Sequence, residues 1–241
     1  MTLKLKQFFA LSALVSLTAI STQSLAENQS SGNTLYISET GTATGQNVNL
    51  VLPVQSGGHD YFSGSLNIMT GNSVQDNSIA NGTSFLAYCI DPFQYTSSSP
   101  LAYTSASLSS LGNTKATEIS NLYSQSYAGT SGNSLNSSAF QIALWELAKD
   151  DGVLTTGGVH TTDSTNASVI AAANSMIYNA QHGVAGATQY SFNLYTNGSN
   201  QDYLVATMAS VTPVPEPESY AMLLAGLGLI GFTASRRRTS K

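Results

Sequence analysis

The chain has 241 residues, with 8 basic and 13 acidic side chains and a formal charge of −5. Between Glu27 and Val214 the only basic residues are Lys115 and Lys149, set against eleven acidic ones. No basic patch can form from that stock, which excludes nucleic-acid binding, and no spaced Cys/His/Asp cluster points to a metal centre or another cofactor.

The N-terminus places Lys4 and Lys6 before an apolar run from Phe8 to Ile20, which closes on the small-residue end Ser24-Leu25-Ala26. That three-part pattern predicts a secretory signal peptide over residues 1–26, cleaved after Ala26. Residues 27–212 have the length of one domain. Thr34–Ser38 reads as a short strand, and Val48, Leu50, Leu52 and Val54 alternate in a second one closed by Ser56-Gly57-Gly58. Phe62, Gly64, Leu66 and Ile68 form one face of a third. A polar loop, Gly71–Gly82, leads to the apolar run Phe85–Ile90, expected as a strand buried on both faces. Cys89 falls on one face of it and Tyr88 on the other.

Helical spacing follows. Ile119, Leu122, Tyr123 and Tyr127 predict a helix over Lys115–Tyr127. In Ser138–Lys149, Gln141, Leu144, Trp145 and Ala148 fall on one side, while Phe140, Ala143, Leu144 and Leu147 add an overlapping apolar stripe. Such a helix is largely buried, and a buried carboxamide costs roughly 1–3 kcal/mol unless it finds partners. Gln141 therefore needs one. A local solution exists, because Ser138-Ala-Phe-Gln141 also fits a capping box in which the glutamine bonds its own N-cap. A third helix is expected near Asn166–His182, ended by Gly183. Strands then resume at Tyr190, Phe192 and Leu194, with a hairpin signal at Asn197-Gly198 and a return strand over Tyr203–Val211. The expected class is α+β: a β-sandwich or distorted β-barrel with a helical block inserted at about 113–183, which carries the Gln141 helix.

Cys89 is the single cysteine. In an exported domain an odd cysteine points to intermolecular pairing or a reactive thiol, with a buried inert thiol as the bland alternative. Tyr88-Cys89-Ile90 followed by Phe140-Gln141-Ile142-Ala143-Leu144-Trp145 resembles the paired signature of bacterial thioester domains. The resemblance spans about residues 34–211. It implies an internal thioester between the Cys89 sulfur and the Gln141 side-chain carbonyl, with Tyr88 and Trp145 as walls of the pocket. The bond would capture a partner's nucleophile, a surface-protein amine or a polysaccharide hydroxyl, for adhesion. Such a chain is a reagent consumed once and not an enzyme.

Two rivals stand beside this. A cysteine hydrolase needs a histidine base from His59, His160 or His182, with His160 and Asp163 as an imaginable pair. A non-covalent biofilm or exopolysaccharide matrix protein needs no Cys89–Gln141 bond, only a binding surface built from exposed aromatics such as Tyr95 and Tyr103.

At the C-terminus, Pro215-Glu216-Pro217 precedes an apolar run from Tyr220 to Ala234 and the cluster Arg236, Arg237 and Arg238. The run is short of the roughly 20 residues that cross a bilayer comfortably, and the arginines would hold its far end in the cytoplasm. Motif, apolar span and arginines in this order are similar to the PEP-CTERM sorting signal, here residues 213–241. That similarity implies transient inner-membrane anchoring by a transmembrane helix and processing by an exosortase-type enzyme. The final location would be the cell surface or extracellular matrix of a Gram-negative bacterium.

Overall fold

A computed structural model describes residues 34–53, 55–71, 82–183 and 190–209, with Met222, Leu224, Ala225 and Leu227 of the C-terminal segment. The expected signal peptide, most of the polar loop expected at 71–82, Pro215–Pro217 and Arg236–Arg238 lie outside the described residues. Among the described residues no helix is long and apolar enough to cross a membrane.

Two long strands, β1 (Thr34–Leu52) and β2 (Gln55–Gly71), form an antiparallel hairpin. Five shorter strands follow: β3 (Ser84–Cys89), β4 (Leu101–Ala106), β5 (His160–Thr161), β6 (Tyr190–Thr196) and β7 (Tyr203–Met208). Every pairing is antiparallel. The order β2-β3-β7-β6-β4-β1 closes on itself, because β1 pairs with both β4 and β2. Tyr36 is the seam: it faces Ala102 on one side and Gly71 on the other. Closure leaves a six-stranded barrel with no open edge at the seam, and β5 adds to the outer end of β1 at Leu50 and Val51. Of the two architectures expected, the distorted barrel is the one found.

Several boundaries differ from the sequence expectation. Val54 lies outside the described residues, and the strand expected at Thr34–Ser38 and the one expected from Val48 are one continuous strand that ends at Leu52. The small and polar residues between them resemble a loop, but bulges between Glu39 and Gly41 and between Thr42 and Gly45 keep the pairing while bending it. The hairpin turns between Leu52 and Gln55, so Ser56-Gly57-Gly58 lies inside β2. In β3 only the second half is enclosed on both faces, since Leu86 is 47% exposed. Strand β4 was not expected at all. Its two inward positions are Tyr103 and Ser105, and one apolar inward residue is too faint an alternation to read.

The helical block is present as α1 (Asn113–Ser126), α2 (Ser134–Lys149) and α3 (Ala167–His182). Helix α2 begins before its apolar stripe because Asn133 caps it, its side chain accepting the Asn136 N–H at 3.0 Å. From Ser137 to Ala148 every residue of α2 is buried. It packs on the β1–β2 hairpin on one side and on α1 and α3 on the other. The core therefore lies around α2, and the barrel wall supplies its floor.

Candidate functional site

The hairpin bulges leave backbone groups of β1 and β2 without strand partners, and two serines of α2 take them up. The Ser138 hydroxyl donates to the Ser63 carbonyl at 2.7 Å and accepts the Gln46 N–H at 3.0 Å, while the Ser63 hydroxyl donates to the Ser138 carbonyl at 2.9 Å. The Ser137 hydroxyl donates to the Thr44 carbonyl at 2.6 Å, accepts the Ser65 N–H at 3.3 Å and meets the Tyr88 hydroxyl at 2.8 Å. These bonds satisfy groups that a bulge would otherwise orphan, and they pin the front of α2 to the barrel. Gln141 is one turn further on.

There it meets Cys89. The β2–β3 ladder stops at Leu66 and Ala87, so the N–H and carbonyl of Cys89 have no β2 partner. The Gln141 side chain takes both: Oε1 accepts the Cys89 N–H at 3.0 Å, and Nε2 donates to the Cys89 carbonyl at 2.6 Å. Because the backbone offers one donor and one acceptor, the pair fixes which end of the amide is oxygen. Gln141 is 1% exposed, and its side chain acts as a substitute strand residue. The capping-box expectation is corrected by this geometry, since the N-cap is Asn133 and the Gln141 side chain is committed to β3.

The Cys89 thiol is buried and donates to the Asp91 carbonyl at 3.3 Å. Burial pushes the thiol well above its ordinary range; the Trp145 side chain and the Asp91 backbone pull it down, and the carboxylates of Asp91 and Asp202 push it further up. Trp145 Nε1 has no partner in bonding geometry, so its pull on the sulfur is weak beside the desolvation. The Asp91 carboxylate accepts the Phe93 N–H at 3.0 Å and pairs with Lys149 Nζ at 3.0 Å, and Lys149 also reaches Asp202 at 3.8 Å. Asp91 thus orients the end of β3 and ties it to the last turn of α2.

Cys89, Gln141 and Trp145 share the wall of a cavity of about 240 Å³, with Tyr61, Phe62, Leu66, Pro92 and Tyr95. Tyr95 is 70% exposed and belongs to its outer rim. Gly64 lines it at φ +152, in close contact with the Thr44 carbonyl, where a Cβ would collide. Trp145 lines the cavity beside Cys89 and Gln141. Tyr88 does not line this cavity: from the opposite face of β3 its ring packs on Phe140 and Tyr127, at 4.7 and 6.1 Å between centroids. Tyr61 and Phe62 were missed as cavity residues, because they come from the hairpin and carry no motif, while Tyr95, expected as an exposed aromatic, is one.

None of the three histidines lines the cavity. His59, His160 and His182 engage the carbonyls of Ser56, Gly157 and Tyr178. Tyr103, expected as an exposed aromatic, is 1% exposed in the barrel interior. Among the described residues the one group able to hold a metal is Glu146, Asp150 and Asp151, which does not line this cavity.

Residues 213–238 match the PEP-CTERM protein-sorting motif. The C-terminus is a sorting segment. It marks the chain for export to the cell surface and for exosortase processing. No curated protein matches the chain. Among solved structures, the chain is similar to the N-terminal thioester domain of a surface protein from Clostridium perfringens, at 14% identity and a TM-score of 0.42, over 73% of this chain and 100% of that one. A cysteine-to-alanine mutant of that domain is similar at 15% identity and a TM-score of 0.40, over 59% and 89%. The N-terminal domain of the Streptococcus pyogenes pilus tip adhesin Cpa is similar at 11% identity and a TM-score of 0.40, over 70% and 98%. These likenesses assign no residue of this chain a role.

Proposed function

We propose that Cys89 and Gln141 form an internal thioester, used once to attach this exported protein covalently to a nucleophile on a partner. The observation that carries it is the buried Gln141 carboxamide, clamped on both sides by the backbone of Cys89 in the wall of a cavity that also holds the thiol.

The chemistry follows from that clamp. Cys89 Sγ attacks Gln141 Cδ, the C–S bond forms, and charge builds on Oε1, where the Cys89 N–H already donates as it would in an oxyanion hole. The C–N bond then breaks and the nitrogen leaves as ammonia, carrying the thiol proton. Amides are poor electrophiles, so rigid placement supplies most of the drive as effective concentration. In the second step an amine or hydroxyl attacks the thioester, the C–S bond breaks, and the nucleophile's proton returns to Cys89. Burial of Cys89 and Gln141 keeps water from the thioester and slows hydrolysis until a partner docks. The two lysines of the exported region do not compete, since Lys149 is ion-paired and Lys115 donates to the Ala148 carbonyl at 2.8 Å.

Each chain reacts once, so it is a reagent for adhesion and not an enzyme. Its partner is a surface-protein amine or a polysaccharide hydroxyl. The sorting segment would anchor the chain transiently in the inner membrane before its transfer to the surface or matrix.

Methylamine treatment followed by peptide mass mapping tests this reading. The expected product is a methylamide on Gln141, with Cys89 becoming alkylatable only after treatment. An unmodified Gln141, with Cys89 equally alkylatable before and after, would rule the thioester out.

A further inference from the structure

The far end of α2 poses a different problem. Glu146 is fully buried at 0% exposure, yet neither carboxylate oxygen has a hydrogen-bond partner. The amides of Gly152 and Val153 lie near it without reaching bonding geometry. Its charged neighbours are Asp150 and Asp151, which repel it. All three acids sit at the negative end of the helix dipole, where cations are favoured and anions are not. Neither lysine of the exported region relieves them, since Lys149 is paired with Asp91 and Asp202 and Lys115 with the Ala148 carbonyl. His160 is turned to the Gly157 carbonyl.

We propose that Glu146, Asp150 and Asp151 bind a calcium ion that closes the end of α2 onto the following loop. One ligand oxygen from each of the three lies within 4.8 Å of the others. Calcium–oxygen distances of about 2.3–2.6 Å put two ligands of one ion no more than about 5 Å apart, so the spacing fits a shared ion. The loop presets two of the ligands. Asp151 accepts the Val153 N–H at 2.9 Å and the Thr156 hydroxyl at 2.8 Å, and Asp150 accepts the Val159 N–H at 2.6 Å. Each oxygen keeps a lone pair for a metal. Gly157, at φ +81, leaves no room for a Cβ against the Asp150 carboxylate, which holds that side chain in place. An all-oxygen set selects a hard cation. Burial of Glu146 leaves little space for the waters that magnesium retains, which favours calcium. This proposal does not depend on the thioester.

The full chain, stripped of metal by chelation, should be titrated with calcium chloride while its thermal midpoint and the fluorescence of Trp145, its sole tryptophan, are followed. Calcium should raise the midpoint and shift the emission with saturation. Asp151→Asn, at an exposed position, should fold normally and bind ~10-fold or more weakly. Glu146→Gln should fold without calcium, at a midpoint at or above that of the calcium-free parent, and should not respond to the ion. A parent chain that ignores calcium, or a response that both variants keep, would overturn the site. An equal response to magnesium would overturn the choice of ion.

Discussion

The two ends of α2 bury polar groups under opposite terms. At the front, Ser137, Ser138 and Gln141 give their polar atoms to backbone groups that the bulged hairpin and the interrupted ladder leave free. At the back, Glu146 is equally buried and meets no partner but two more carboxylates. The same helix thus carries a bonded polar cluster less than two turns from an unbonded one. A satisfied buried amide is a positioned group, and here it is held on the backbone of Cys89. An unsatisfied buried acid marks something that has still to arrive.

The contrast can be broken most sharply at Gln141. Gln141→Ala removes the cross-link to Cys89 and leaves the Cys89 N–H without its Oε1 partner, and an unpaired buried group costs about 1–3 kcal/mol before the loss of the cross-link is added. Urea denaturation should therefore show a loss of about 3 kcal/mol or more, and the variant should give no methylamide. Ser138→Ala removes the hydroxyl that bridges Ser63 and Gln46. Its expected cost is about 1–3 kcal/mol in the same assay, with slower thioester formation as the helix loosens its hold on the hairpin. At the other end of α2 the sign should reverse. Glu146→Gln removes a partnerless carboxyl that burial, with Asp150 and Asp151, pushes up to about 8, and should stabilise the calcium-free chain at neutral pH by on the order of 1 kcal/mol. The smallest effect is expected at Tyr95→Ala on the exposed rim. Stability should stay within about 0.5 kcal/mol, while methylamine reacts faster because the cavity loses part of its cover.

Much of this was legible in the chain because period and order suffice for it. The alternation of β2 and β6, the apolar run of β3, the helical stripes of α1 to α3, and the Cys89 and Gln141 motifs each depend on a few neighbouring residues. The join between Thr34–Ser38 and Val48–Leu52 was not legible, because Gly41 and Gly45 look like loop residues until bulges admit them into a strand. Strand β4 was hidden because Tyr103 is its single large inward side chain, which also made that tyrosine look like a surface aromatic. Tyr88 was assigned to the wrong cavity, since adjacency to Cys89 in sequence means the opposite face in a strand. Glu146 gave no local signal: beside Trp145 and Leu147 it reads as the polar edge of a helix, and only packing against the barrel and the loop buries it.

The most direct measurement is the intact mass of the freshly purified mature protein beside a Cys89→Ala variant. With Cys89 and Gln141 joined, the parent chain is one ammonia lighter than its sequence, the variant has its full sequence mass, and the parent shows no titratable thiol. A parent chain of full sequence mass with a free thiol, and with Gln141 shown by peptide mapping not to have hydrolysed to glutamate, would contradict the thioester.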